Sequence, residues 1–84
     1  MLKEIYQYII IHQSGLFDRA YYLHQYPDVR RADIDELMHF IKIGWKENRN
    51  PSENFNTEEY LERNPGVKEA KINPLVHFIK TNKK

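Results

Sequence analysis

Displacing the sequence against itself by 38 positions lays residues 17–44 on 55–82 with 12 of 28 positions identical and no gap. Phe17 falls on Phe55, Tyr22 on Tyr60, Leu23 on Leu61, Pro27 on Pro65 and Val29 on Val67. Ala32 falls on Ala70, Ile34 on Ile72 and Leu37 on Leu75, and the run His39, Phe40, Ile41, Lys42 meets His77, Phe78, Ile79, Lys80. A chain that repeats at a fixed offset uses one supersecondary unit twice, each copy being too small to bury its apolar face alone. Any local assignment must therefore hold in both copies.

The segment before the first copy, residues 2–13, spaces Leu2, Ile5, Tyr6 and Ile9 by threes and fours, with Lys3, Glu4 and Gln7 opposite. That pattern predicts an amphipathic helix whose core face is Leu2, Ile5, Tyr6 and Ile9. Ile11 falls on the polar side of the same wheel, where it is either singly exposed or a contact with another chain. Ser14-Gly15 ends the helix.

Each copy then opens on a capping residue, Asp18 or Asn56, and Glu59 three positions after Asn56 makes a capping box. Tyr22, Leu23 and Tyr26 share one face of the following helix, while Glu59 in the place of Tyr21 sets Tyr21 outside the core. Pro27 and Pro65 start short helices through residues 32 and 70, since proline suits a first helical turn and no later one. Asp35 and Asn73 cap the last helices, 36–43 and 74–81, with Leu, Phe and Ile at i, i+3 and i+4 in both. These helices are expected to stop at Gly44 and Asn82 in a left-handed conformation. Residues 45–54, with Pro51, read as a polar linker. The fold class that follows is all-α: one N-terminal amphipathic helix (1–13), then two tandem three-helix repeats, 17–52 with its linker and 53–84, in a single small domain of 84 residues.

Composition narrows the function classes. Cysteine is absent, which excludes disulfides and thiolate chemistry and is compatible with a reducing compartment, so a cytoplasmic location is expected. Thirteen basic residues against 12 acidic ones leave a net charge of +1, too little to draw the chain to nucleic acid or an anionic membrane. Neither a signal peptide nor a membrane span is read from the sequence. With three glycines, at 15, 44 and 66, there is no phosphate-binding loop. No zinc signature or nucleophile–base–acid set is found either, so the expectation is a non-enzyme with no metal and no cofactor. His39 and His77 recur on the polar side of the last helix without a partner at i+3 or i+4, which favours a ring bonded to a backbone group or packed at a helix junction. Asp28, Asp33, Asp35 and Glu36 lack the glycine and register of a calcium loop, and read as caps and solvated charge. Lys80, Lys83 and Lys84 read as a solvated end.

The segment Trp45, Lys46, Glu47, Asn48, Arg49 sets an aromatic plate among charged groups. Either it binds a sugar, a nucleotide or a protein, or Trp45 packs over the joint between copies while the charges stay in water. The candidate binding residues are Trp45, Lys46, Arg49 and, as an exposed ring able to stack, Tyr21. The partner is expected to be a protein or a glycan, with the oligomeric state left open.

The strings Ser-Gly-Leu-Phe-Asp (14–18), Tyr-Tyr-Leu (21–23), Tyr-Pro-Asp-Val (26–29), His-Phe (39–40) and Gly-Trp-Lys-Glu-Asn-Arg-Asn-Pro (44–51) resemble a tandem helical repeat of bacterial proteins. Phe-Asn (55–56), Tyr-Leu (60–61), Asn-Pro-Gly-Val (64–67) and Asn-Pro-Leu-Val-His-Phe (73–78) echo the pattern. That repeat stands beside glycosyltransferase domains in surface-polysaccharide and rhamnan-type biosynthesis proteins. The chain departs from it at Gly66, where Asp is usual, and in lacking a second Gly-Trp-Lys-Glu-Asn-Arg segment, which suggests a terminal or truncated array. The resemblance implies a non-catalytic interaction module in polysaccharide assembly and carries no sugar-transfer residues. The rival reading is a stand-alone adaptor or inhibitor of an unrelated protein.

Overall fold

The computed structural model describes residues 2–82, and in them the chain is all helical. Its elements are α1 (Leu2–Ser14), α2 (Arg19–Gln25), α3 (Pro27–Ala32), α4 (Glu36–Lys42), a 3₁₀ helix (Gly44–Glu47), α5 (Thr57–Arg63), α6 (Pro65–Glu69) and α7 (Pro74–Thr81). Among the described residues the only β feature is an isolated bridge between Ser52 and Phe55.

Capping chemistry sets the helix starts. Asp18 accepts a hydrogen bond from the Tyr21 amide at 3.0 Å, and Asn56 one from the Glu59 amide at 2.8 Å. Asp35 caps α4 through the Met38 amide, and Asn73 caps α7 through those of Leu75 and Val76. These bonds satisfy amides that the first helical turn leaves unpaired. Only half of the expected capping box forms, because the Glu59 carboxylate pairs with Arg63 one turn on, at 2.9 Å. Pro27 and Pro65 each begin their short helix, as the sequence predicts. After α3 and α6 the chain passes through left-handed residues, Asp33 (φ 55°) and Lys71 (φ 58°), which are 38 positions apart.

The core is apolar and continuous. Ile11, Tyr22, Val29, Leu37, Phe40, Ile41, Trp45, Leu61, Val67, Leu75 and Val76 are buried, and Phe17, Leu23, Tyr26, Phe55 and Ile79 pack against them. Tyr21 is half-buried and belongs to neither group. Aromatic spacing is the same in the two halves. Phe17 lies 5.1 Å from Tyr22 and 5.7 Å from Phe40, and Phe55 lies 5.3 Å from Tyr60 and 5.6 Å from Phe78. Such ring contacts add to the area each ring buries.

Three sequence expectations change. First, α1 is turned over: Ile11 is wholly buried, while Leu2 is 82% exposed and Ile5, Tyr6 and Ile9 are exposed. The reason lies in Tyr8, which shares the Ile11 side of the helix. Its hydroxyl donates to Asp35 at 2.9 Å and accepts from Arg19 at 3.1 Å, and Arg19 also pairs with Glu36 at 3.0 Å. Apolar residues occur on both sides of α1, and this polar clasp to α2 and α4 selects the side that faces in. Second, Gly44 is not left-handed. Helix α4 ends at Ile43 and runs into the 3₁₀ helix, whose left-handed stop is Asn48 (φ 62°), and Asn82 closes α7 at φ −103°. Gly44 serves close approach instead, since a Cβ there would collide with the Tyr22 hydroxyl. Third, the polar linker 45–54 is tied into the fold. Trp45 and Pro51 are buried, Asp18 N–H donates to the Pro51 carbonyl, and the Thr57 hydroxyl donates to the Arg49 carbonyl at 2.7 Å.

Candidate binding clefts at the Trp45 joint

The 3₁₀ helix carries Trp45 down between the two sequence copies, where the indole is buried to 8% exposure. Trp45 thus covers the joint, one of the two alternatives open from sequence. What remains accessible of it forms one wall of a groove of about 460 Å³, with Leu61 of α5 on the same lining. Glu58 and Glu62 of α5 stand on one side, and Lys46, Lys68 and Lys71 complete the charged rim. The rim therefore offers both donors and acceptors around an apolar floor.

A second cleft, of about 400 Å³, shares Trp45, Lys46 and Lys71 with the first. Its further walls come from α1 (Lys3, Glu4, Gln7), α4 (Ile41, Lys42) and the cap residue Asn73.

Of the four candidate residues, Trp45 and Lys46 sit on these clefts, and Arg49 and Tyr21 do not. Arg49 is committed inward. Its guanidinium makes two hydrogen bonds to Asp28, at 3.0 and 2.9 Å, reaches Glu47 at 3.1 Å and lies 4.7 Å above the Tyr26 ring. The planar fork suits this bidentate, stacked arrangement. The bonded guanidinium holds the Asp28 carboxyl below its ordinary pKa, and Asp28 in turn raises that of Arg49. Arg49 thereby pins the segment after the 3₁₀ helix to the start of α3.

The recurring histidines are bonded to tyrosine hydroxyls rather than to backbone groups. Tyr22 Oη lies 2.8 Å from His39 Nδ1, and Tyr60 Oη lies 2.7 Å from His77 Nδ1. Burial raises the Tyr22 pKa, so its hydroxyl stays protonated and donates. His39 is pushed below its ordinary value, first by burial and then by the Arg49 charge, and accepts as the neutral ring. Each His therefore closes the contact between the first and last helix of its copy. The sequence signal was present, a Tyr and a His recurring 17 residues apart, but neither residue type alone indicates the other as its partner.

No family model, curated protein or solved structure matches this chain. Leu61, Glu58, Glu62, Lys68 and Lys71 were not singled out from sequence, because they come from the second copy and share a groove with Trp45 only in the fold. Among the described residues no three His, Asp or Glu side chains converge as a metal site would require, and no helix is long and apolar enough to cross a membrane.

Proposed function

We propose that the chain is a non-catalytic module of two tandem three-helix repeats, offset by 38 residues, that binds a carbohydrate or protein partner at the joint between them. On this reading it works in the cytoplasm in bacterial surface-polysaccharide biosynthesis, as the motif resemblance implies. The repeat architecture is supported by the paired caps, the left-handed residues Asp33 and Lys71 and the two Tyr–His contacts at one spacing.

The observation that carries the binding reading is the groove itself. Its lining combines Trp45 and Leu61 with the carboxylates of Glu58 and Glu62 and the ammonium groups of Lys46 and Lys68. A sugar presents an apolar C–H face and hydroxyls that both donate and accept, which such a lining complements. A glycan array with the intact chain, combined with a pull-down from cells carrying a polysaccharide locus, tests it. Binding lost on Glu62→Ala and Lys68→Ala, both exposed and outside the core, is expected. Capture of neither a glycan nor a biosynthetic partner would overturn it.

The adaptor or inhibitor reading is favoured by one observation, the exposed stripe Leu2, Ile5, Tyr6 and Ile9 on α1. If Ile5→Gln with Ile9→Gln abolishes capture of a partner while the rim variants do not, that reading replaces the first.

A further inference from the structure

We propose that the second cleft, under α1, is an oxyanion site that takes the carboxylate or phosphate group of a ligand. It shares a wall with the groove above and holds whether or not that groove accepts a sugar.

The first observation is charge. Lys3, Lys42, Lys46 and Lys71 stand around the cleft against a single carboxylate, Glu4. Among the described residues, no acid other than Glu4 stands in an ion pair with any of these four lysines. Lys71, whose backbone is left-handed at φ 58°, is one of them.

The second observation is independent of charge. Asn73 is 2% exposed, and its Nδ2 has no hydrogen-bond partner. The orientation of its amide is fixed, because Oδ1 accepts from the Leu75 and Val76 amides as the cap of α7. The end left over is therefore an NH₂ group, two donors without an acceptor, on a residue that lines the cleft. A buried polar group without a partner is unfavourable, and a ligand oxygen would supply the missing acceptor.

Comparison of the two copies sharpens the point. The equivalent residue in the first copy is Asp35, whose second oxygen is satisfied by the Tyr8 hydroxyl and which lies 3.9 Å from Arg19. There a carboxylate faces donors supplied by the protein. Here an amide faces lysines, and the acceptor that would complete the set is the oxyanion.

The test is a titration of the intact chain, followed by amide NMR at low ionic strength, with inorganic phosphate, glucuronate and glucose as probes. Phosphate, glucuronate or both should shift the Asn73 side-chain amide and the amides of Lys46, Lys71 and Leu75 in a saturable way. Response to one anion alone would identify the source as a phosphorylated or a uronate ligand. Asn73→Asp keeps the cap, as Asp35 shows, but replaces the donors with a carboxylate, so affinity should fall at least tenfold with the melting temperature little changed. Should that variant disturb the fold, Asn73→Ser retains a capping oxygen and removes the donors, and the same loss is expected. Lys71→Gln should weaken binding severalfold. The proposal is overturned if neither anion gives saturable shifts, if glucose produces the same shifts, or if Asn73→Asp or Asn73→Ser binds like the parent chain. Glucose shifts confined to Glu58, Glu62 and Lys68 would report on the upper groove instead.

Discussion

At Gly44 the chain leaves α4 so close to Tyr22 that the space beside its Cα is already filled by the tyrosine hydroxyl. Adding one methyl group there must displace Tyr22 and break its bond to His39. Gly44→Ala is therefore expected to destabilise the fold by about 1–3 kcal/mol, the usual cost of overpacking a core. Asn82→Ala, at the matching position on an exposed helix end, should change stability by about 0.5 kcal/mol or less. Urea unfolding of both variants checks the contrast. His39 gives a prediction in pH. Its folded pKa is depressed from 6.5, so the unfolded chain binds the proton more readily. The stability that neutral His39 contributes is thus complete above about pH 6.5 and lost as pH falls through the depressed folded value. Melting temperatures should drop on mild acidification in the parent chain and drop less in His39→Gln. Further into acid, protonation of Asp28, whose pKa is lowered by its bonds to Arg49, should remove a second contribution.

Helix α1 shows how far a sequence pattern reaches and where it stops. Its helical period, its length and its stop at Gly15 (φ 72°) follow from residue spacing and turn chemistry. The buried side does not, because a helix with Leu2, Ile5, Tyr6 and Ile9 on one side and Tyr8 and Ile11 on the other has two candidate faces. The choice is made by Arg19, Asp35 and Glu36, which lie up to 28 residues away from Tyr8 and meet only in the fold. Tyr8→Phe, which keeps the ring and removes both hydrogen bonds, should cost about 1–2 kcal/mol. It should also speed amide hydrogen exchange in α1 more than in α4 or α7. No change in α1 exchange would mean that Ile11 alone seats the helix. The Trp45 segment has the same lesson. Its aromatic residue was legible as either a plate or a plug, and Lys46, a candidate from sequence, lines both clefts. Arg49 looked like a free donor only because Asp28, 21 residues earlier, is invisible to local reading.

In the whole molecule, α1 packs on both α4 and α7, so one helix outside the self-similar segment touches the last helix of each copy. Repeat arrays generally unfold as units coupled only through neighbouring interfaces. Here α1 adds a second coupling, and the full chain should unfold in one transition with coincident Trp45 fluorescence and helical circular dichroism. A chain without residues 2–14 should lose that coincidence, with Trp45 reporting the joint before helicity is lost. The all-helical class and most helix boundaries were readable because caps, prolines and apolar period agree in two independent copies. The clefts were not, since each is walled by residues from both copies and exists only where they meet.

The collision at Gly44 bears on how the two self-similar segments differ. Position 82 ends a helix in the open and holds an asparagine, whereas position 44 holds the only side chain small enough for the turn into the 3₁₀ helix. The two copies are consequently not interchangeable, and the barrier has a direction. A glycine could be grafted from the first copy onto the end of the second at little cost, but the asparagine of the second could not be carried back without dismantling the Tyr22–His39 contact.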